Sequence, residues 1–470
     1  MYVTRRVLRS VPFRSVRHFF RKCTVTDQSS PTQGLFGDPL LKSAASLTEL
    51  NSRVRAECSE LLNQIEAGSK ERTTVQLFDD LSNTICKAAD MERGYPSYAH
   101  RAQENSLLGS YENAHDFLWG VIQACRPAAE REIAVLLDVQ SQCSSLFSGI
   151  GEWDIHYLTQ IERAYGIEHY DEISKFLNLG NLLSGLANLL NKLYGVKIEE
   201  RQIERGEMWD GNIIKLDVSS ADDQFLGTVY LDIDRRPTKA VGDCHFTVRC
   251  SKQLKDNSWQ TPIVVLSLAI CDRTDVDWRS VPIDMHRAEN VFHEMGHAMH
   301  SMLGRTRYQH VAGTRCPQDF SEIPSILMEY FFNDLTVLQS VLRNSDGECV
   351  RIEDAASMIA SRFAFSSLEI MQQASYALFD LELHAPDATK LLREGRITTT
   401  DLFHSIITKA LPHLDRQADS AFQHRFHHLV QYGAKYYSYM VARSAASLIW
   451  NSKFRDSPFS RTEGEKWMKV

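Results

Sequence analysis

The sequence lacks any apolar run long enough to cross a membrane. The longest run, residues 263–271, is well short of the roughly 18 residues that a spanning helix needs. The 470 residues are 43% apolar and 24% charged, which is the composition of a soluble globular protein. We therefore expect no membrane span, and a core large enough for two lobes.

Paired cysteines are also missing. The ten cysteines are scattered along the chain, and no two of them stand in a CxxC arrangement. The pattern therefore suggests neither a zinc site made of thiolates nor a dithiol redox motif. Free thiols in a reducing compartment are the expectation.

Acidic residues are absent from positions 1–26, which contain six arginines and one lysine. Apolar and basic residues fall on opposite helical faces there, which predicts a mitochondrial transit peptide and a mitochondrial matrix location. Residues 27–45, rich in Ser, Thr, Pro and Gly, are predicted to be a linker. Without the first 26 residues the net charge falls from −8 to −15. Such a negative charge argues against a nucleic-acid partner and suits basic peptides.

The most informative motif is HEMGH at residues 293–297. On a helix, His293 and His297 lie one turn apart on the same face, so both imidazoles can bind one metal ion. Glu294 between them can act as general base on a water molecule beside that ion. Catalytic zinc sites use three protein ligands, so a third ligand is required downstream.

A second predicted helix offers two candidates for the third ligand. Pro324 is tolerated only near a helix start, so the first turn is expected at about 320–323, with Asp319 or Ser321 as N-cap. Glu322 falls in that turn, and Glu329 lies seven residues later on the same face. The spacing leaves the choice between the two carboxylates open.

Most of the remaining pattern predicts helices, with one exception just before the HEMGH helix. Residues 225–234, 244–250 and 261–270 are β-rich runs separated by turn residues. They predict a small sheet whose edge strand could hold an extended peptide, although the pattern does not identify that strand. The expected fold class is mainly α with a small β-sheet beside the site.

Four tyrosines stand in the segment 426–440, FHHLVQYGAKYYSYM. Their spacing would put Tyr432, Tyr436 and Tyr439 on one side of a helix, with Tyr437 elsewhere. Three buried phenols each need a hydrogen-bond partner. From the residues alone, this stripe is predicted to be core.

HEMGHAMH, followed by GTRCPQDFSEIPSILMEYF at residues 313–331, resembles the thimet oligopeptidase family of zinc metallopeptidases. The resemblance implies a zincin fold with two helical lobes around a substrate channel, and one Zn²⁺ per chain. It implies that the zinc ligands are His293, His297 and Glu322, and that Glu329 is not one of them.

The same resemblance implies roles for residues around the ligands. Glu294 matches the catalytic base of the family. Glu289, four residues before the first histidine, matches an acid that supports a ligand from behind. Asp319 matches the aspartate of the family's Asp-Phe-x-Glu signature and is a weaker candidate for such support.

The resemblance also reverses the interpretation of the tyrosine segment. Its His-Leu-x-x-Tyr and Tyr-Tyr-x-Tyr motifs are similar to those of the segment that faces the zinc in this family. The implied catalytic residues are His428, Tyr436 and Tyr439, which would bind the oxyanion. Tyr432, together with Tyr436, would bind substrate. The gap between His428 and Tyr432 is one residue shorter than in the family's type member.

The function implied is that of a mitochondrial processing member of this family. Such an enzyme is a zinc endopeptidase that removes an N-terminal octapeptide from imported precursor proteins after a first cut. The expected partner is a peptide or precursor-protein substrate, and the expected state is a monomer. The alternatives are a general oligopeptidase that clears short peptides and a truncated isoform with impaired catalysis.

The predicted organisation is an N-terminal helical region at 46–150 and a catalytic domain at 151–470. Two sequence segments that resemble the family, ICKAADM at 85–91 and RGYPSYAHRA at 93–102, are adjacent in this chain. In the family a long helical region separates the corresponding segments. The family also continues beyond the tyrosine segment through further helices. We therefore expect a shortened form with an incomplete channel wall and a truncated C-terminal end.

Overall fold

The structure, a computed structural model, describes residues 44–67, 95–143, 149–165, 175–209, 213–237, 239, 242–272, 277–344, 346–426 and 428–470. The predicted transit peptide and all but the last two residues of the predicted linker lie outside these ranges. The family-like segment at 85–91 also lies outside them. No helix in the described ranges is both long and apolar enough to span a bilayer.

Helices make up most of the described chain. They are α1 Ala44–Ala67, α2 Tyr98–Ala102, α3 Tyr111–Cys143, α4 Ile155–Tyr165, α5 Leu179–Tyr194, α6 Met285–Leu303, α7 Gln318–Ser321, α8 Ile323–Phe332, α9 Leu335–Val341, α10 Ile352–Phe363, α11 Ser366–Leu383, α12 Pro386–Arg393, α13 Thr399–Ala410, α14 His428–Gln431, α15 Ser438–Ile449 and α16 Arg461–Trp467. A π-helical turn, Trp450–Phe454, follows α15. The expected class, mainly α with a small sheet, is confirmed.

The strands are β1 Ile150–Gly151, β2 Lys197–Arg201, β3 Ile213–Ser219, β4 Phe225–Asp234, β5 Cys244–Arg249, β6 Lys252–Gln253, β7 Trp259–Gln260, β8 Ile263–Cys271 and β9 Leu414–Asp415. Five of them form one sheet in the order β2-β3-β4-β8-β5. Only the β4–β8 pair is parallel within it. The three predicted strands are confirmed as β4, β5 and β8, and the edge strands are β2 and β5.

Two hydrophobic cores organise the described chain. The first core is formed mainly by α5, strands β3, β4 and β8 of the sheet, α6, α8 and α9. Helix α5 begins at its N-cap Asn178 and ends at Gly195, whose left-handed φ of 74° closes the helix. Its leucine stripe lies in this core, as the pattern predicted.

The second core is formed by α3, α11 and α13 together with the segment that precedes α15. Tyr437, Met440 and Val441 belong to this core, whereas Ala442 and Ala446 on the same helix belong to the first core. Helix α15 therefore joins the two cores. The side chains of the predicted site lie along that boundary.

Candidate metal centre

Helix α6 carries the two histidines and is held on its buried side by the first core. It begins at Asp284, whose side chain accepts a hydrogen bond from the backbone N–H of Arg287. Val291, Phe292 and Met295 are each 1% exposed or less and fix the helix against its neighbours. His293 and His297 therefore point away from that core together, with ring centroids 5.0 Å apart.

A glycine inside the motif allows the second ligand helix to approach closely. A Cβ built on Gly296 would lie 2.6 Å from Cα of Ser325 and 2.8 Å from the carbonyl oxygen of Pro324. Side chains larger than hydrogen do not fit at such distances. Gly296 thus lets α6 and α8 pack backbone to backbone, a role that the sequence analysis did not identify.

Glu322 stands at the junction between α7 and α8. It ends the first helix and begins the second, and Pro324 follows in the first turn of α8. The predicted helix start near 320 was therefore wrong in detail. The N-cap of α7 is Pro317, and both Asp319 and Ser321 lie inside that short helix. The junction turns the Glu322 carboxylate back toward the histidines.

The carboxylate of Glu322 lies between the two imidazoles. Its Oε2 atom is 3.5 Å from Nε2 of His293 and 3.2 Å from Nε2 of His297. Two atoms bound to one tetrahedral zinc at 2.0–2.1 Å are about 3.3 Å apart. The three side chains form a group whose ligand atoms all lie within 4.8 Å of one another. Their chemistry and spacing fit one tetrahedrally coordinated metal ion.

Charge in this group is shared between the acid and the bases. Burial alone would raise the pKa of Glu322, but hydrogen bonds with His293 and His297 hold it well below its usual range. Burial likewise opposes protonation of His293, yet its contacts with Glu322 and Glu329 raise its pKa. A metal cation bound there would replace the protons of the histidines as the positive charge that attracts the carboxylate of Glu322.

Glu294 is buried beside these three side chains but is not one of the ligand group. Its Oε2 atom has no hydrogen-bond partner among the described residues. Burial is the main reason that the pKa of this carboxyl is raised, although the two neighbouring histidines oppose the shift. An unpartnered carboxylate oxygen next to a possible metal site is available to a water molecule or a substrate.

Glu329 occupies the far side of His293. Its Oε1 atom is 2.6 Å from Nδ1 of that histidine, which leaves Nε2 directed at Glu322. A carboxylate on the second nitrogen fixes the tautomer and ring orientation of a metal-binding histidine. The two candidates for third ligand, both left open by the spacing, thus contact different nitrogens of one imidazole.

The two acids expected to support the ligands have other contacts. Glu289 accepts hydrogen bonds from Asn333 and Arg362, at 2.5 and 2.8 Å. Asp319 is fully buried, and its Oδ2 accepts from the backbone N–H of Leu107 and from the hydroxyl of Tyr437. Among the described residues, no hydrogen bond or ion pair joins either acid to a ligand side chain, and their expected roles stay predictions.

The tyrosine segment packs against the second core and lies close enough to the ligand group for the charge of Glu322 to raise the pKa values of Tyr432 and Tyr439, after the larger effect of burial. It is not one continuous helix, as the spacing predicted, because a turn at 432–437 separates α14 from α15. The segment nevertheless clusters its rings, with His428 and Tyr432 centroids 4.4 Å apart and Tyr436 and Tyr439 centroids 5.3 Å apart. Tyr437 points elsewhere, into the second core, where it is 1% exposed.

Of the three clustered tyrosines, Tyr439 is the best candidate to donate a hydrogen bond to a developing negative charge. Its hydroxyl is 3.0 Å from Nε2 of His428. Burial, followed by the charge of Glu322, raises the pKa of Tyr439 and keeps the phenol protonated. The hydroxyl of Tyr436 donates instead to Gln373 at 2.7 Å. Their roles toward substrate remain predictions.

The edge strand β5 borders the same space. His245 on this strand is 3.1 Å from Oγ of Ser301, and its ring lies 5.8 Å from that of His297. Burial lowers the pKa of His245 to about 3, so the imidazole is neutral. Phe246 and Val248 project outward and are 49% and 65% exposed. The β-rich pattern predicted this strand, but no motif in the sequence singles out His245.

Comparison with known proteins places these features in a family context. The model of Peptidase family M3 matches residues 47–469. The mitochondrial intermediate peptidases of Mus musculus and Homo sapiens are each 36% identical, over 80% of this chain and 52% of their own length. That of Saccharomyces cerevisiae is 28% identical over 93% of this chain and 59% of its own. The chain spans about half the length of the curated relatives it matches.

Proposed function

The chain belongs to peptidase family M3, and on that premise we propose that it is a zinc-dependent endopeptidase. The observation that carries this proposal is the group formed by His293, His297 and Glu322, whose spacing fits a zinc tetrahedron. These three side chains would hold the ion. Zinc bound there would supply Lewis-acid chemistry, polarising the scissile carbonyl and lowering the pKa of water.

Glu294 is the general base in the proposed reaction. Its free Oε2 atom accepts a proton from the attacking water and then delivers it to the departing amine. Burial raises the pKa of Glu294, which makes its carboxylate a stronger base for the first step and keeps the proton on it until the amine departs. The same residue can therefore serve both proton transfers.

Tyr439 and His428 stabilise the oxyanion that forms when water adds to the peptide carbonyl. A protonated phenol donates a hydrogen bond that becomes stronger as the negative charge develops. Tyr436 is the second candidate donor, once its hydroxyl leaves Gln373. Tyr432, which packs on His428, would contact the substrate chain.

The proposed substrate is a precursor protein imported into mitochondria, and the proposed compartment is the matrix. The relatives are named mitochondrial intermediate peptidases. The basic first 26 residues and the net charge of −15 without them support the same assignment. Removal of an N-terminal octapeptide is the cleavage we propose. An extended substrate could pair with the free edge of β5.

The experiment combines zinc analysis with two kinds of substrate. The purified chain should contain about one zinc ion, and it should cleave a quenched peptide only when no chelator is present. Glu294→Gln should keep the zinc and lose nearly all turnover, whereas the exposed Glu465→Gln control should keep both.

Substrate length separates the two enzymatic alternatives. A processing peptidase should remove one N-terminal segment from an intact precursor and stop there. An enzyme that cleaves only short peptides would be a general oligopeptidase. Zinc-free chain with full activity, or full activity of Glu294→Gln, would refute the proposed chemistry.

A further inference from the structure

A buried carboxylate on α11 holds the backbone of the tyrosine segment. Asp380 is fully buried in the last turn of this helix. Its Oδ1 atom accepts a hydrogen bond from the backbone N–H of Ala434 at 2.8 Å, and its Oδ2 atom accepts from that of Tyr436 at 3.0 Å. Both oxygens of one side chain are thus used on a turn 54 residues away.

The turn needs these acceptors because it interrupts the helix. Ala434 has a φ of 56°, a left-handed conformation that alanine rarely adopts. In the described part of the chain, no backbone carbonyl accepts from the N–H of Ala434 or Tyr436, although neighbouring amides of the turn have such partners. Asp380 therefore satisfies the two amides that the left-handed turn leaves without a helical acceptor.

Two further contacts hold the same turn from different sides. The hydroxyl of Tyr436 donates to Gln373, which lies seven residues before Asp380 on the same face of α11. Gln103, also fully buried, donates from Nε2 to the carbonyl oxygen of Ala434 at 2.5 Å. Both of these partners are neutral, and among the described residues Asp380 is the one side chain that accepts hydrogen bonds from two amides of the turn.

We infer that Asp380 is a positioning residue for the proposed peptidase reaction, because its two carboxylate oxygens set the turn that leads into α15 and places the hydroxyl of Tyr439 beside His428. The inference rests on the proposed function for its consequence in catalysis. The hydrogen bonds to the turn themselves are independent of it. Asp380 does not contact the metal ligands and need not touch the substrate.

The chemistry requires a carboxylate rather than an amide at this position. Asparagine has the same shape but offers one oxygen and one NH₂ group. Whichever way the amide is oriented, one backbone N–H of the turn would face another donor. Asp380→Asn therefore removes one acceptor of the turn and adds a repulsive contact, and it also removes the charged partner of His384, whose Nδ1 lies 3.3 Å from Oδ1, while it leaves the volume of the buried side chain nearly unchanged.

The first measurement is hydrogen exchange of fragments that span residues 432–437. In the wild-type chain the amides of Ala434 and Tyr436 should be protected, although both lie in a turn. In Asp380→Asn their exchange should be about 10-fold faster or more, while fragments of α8 keep wild-type rates. The exposed Asp387→Asn is the matched control and should change neither.

The second measurement is steady-state peptide cleavage with zinc content measured on the same samples. Asp380→Asn should lower kcat by about 10- to 100-fold, with KM changed less than kcat and zinc content unchanged. A merely structural role would lower zinc content and active fraction together. Wild-type kcat in a folded Asp380→Asn chain would overturn the inference.

The two proposals fail in different ways. If the wild-type chain binds no zinc and cleaves nothing, the proposed function fails. The exchange measurement still tests whether Asp380 holds the two amides of the turn by hydrogen bonds. If Asp380→Asn does not fold, the wild-type measurement decides, because turn amides that exchange as fast as those of exposed loops would overturn the inference.

Discussion

Replacement of Gly296 by alanine should weaken metal binding without touching a ligand. In the structure, the added Cβ would lie 2.6 Å from Cα of Ser325 and 3.0 Å from its backbone nitrogen. Carbon atoms in ordinary contact are about 3.5–4.0 Å apart. Helix α8 would therefore have to move away from α6 by about 1 Å, because both contacts are with backbone and not with a flexible side chain.

The displacement acts directly on the metal site, since Ser325 lies one helical turn after Glu322. The distances from Oε2 of Glu322 to Nε2 of His293 and His297 are now 3.5 and 3.2 Å, close to the roughly 3.3 Å between two ligand atoms of a zinc tetrahedron, and a shift of about 1 Å would take both well away from that value. We expect zinc affinity to fall by about 10- to 100-fold, as when a supporting contact of a metal site is lost.

The effect on stability should be smaller than the effect on metal affinity. Overpacking of a close contact costs about 1–3 kcal/mol. Alanine in a helix interior regains about 1 kcal/mol relative to glycine. The free energy of unfolding of the metal-free chain should therefore fall by about 0–2 kcal/mol, so the variant remains folded and its metal affinity can be measured.

The assay is competition for zinc against a chelator of known affinity, with thermal unfolding of the metal-free protein measured in parallel. Gly120→Ala in α3 is the matched control, because a Cβ there meets no atom within 4 Å. The control should keep wild-type zinc affinity and be slightly more stable. If Gly296→Ala binds zinc as tightly as the wild type, the backbone contact does not set the ligand spacing and the reasoning is refuted.

Three further predictions test other parts of the molecule. Tyr439→Phe should lower kcat by about 10²-fold in peptide cleavage, since it removes a donor to the oxyanion, and an unchanged kcat would exclude that role. Glu329→Gln should weaken zinc binding by about 10-fold in chelator competition, because His293 loses a charged partner on Nδ1, while equal affinity would contradict this. The hydrogen bond with Glu382 raises the pKa of His115 above its ordinary 6.5, so this contact stabilises the fold below that pH and is lost as pH rises through the folded-state pKa. The Tm deficit of His115→Gln should therefore be larger near pH 5.5 than near pH 8.5, and a deficit independent of pH would count against the ion pair.

Much of the metal centre followed from local pattern. The spacing of His293 and His297 places two imidazoles on one helical face in any helix, so no tertiary information was required. The β-rich runs likewise predicted β4, β5 and β8 from local sequence, without tertiary information. The spacing could not decide between Glu322 and Glu329, because both lie on one face, and the bend between α7 and α8 determines which one reaches Nε2.

Contacts between distant parts of the chain were beyond such reasoning. Gln103 lies 331 positions from its partner Ala434, and no periodicity links the two. The left-handed conformation of Ala434 broke the helix that the tyrosine spacing predicted. Alanine carries no signal for that conformation, since the penalty is offset by buried acceptors on another helix. Gly433, next to it, was the one local indication of an irregular backbone.

The division of the site between two hydrophobic cores has a consequence for how the protein is assayed. All three candidate ligands are anchored in one core, and the candidate oxyanion donors are anchored in the other. A small separation of the halves would leave the coordination of an ion intact while it withdrew the phenols from the scissile bond. A fully metallated sample can therefore be inert, and metal content alone cannot serve as a measure of active enzyme.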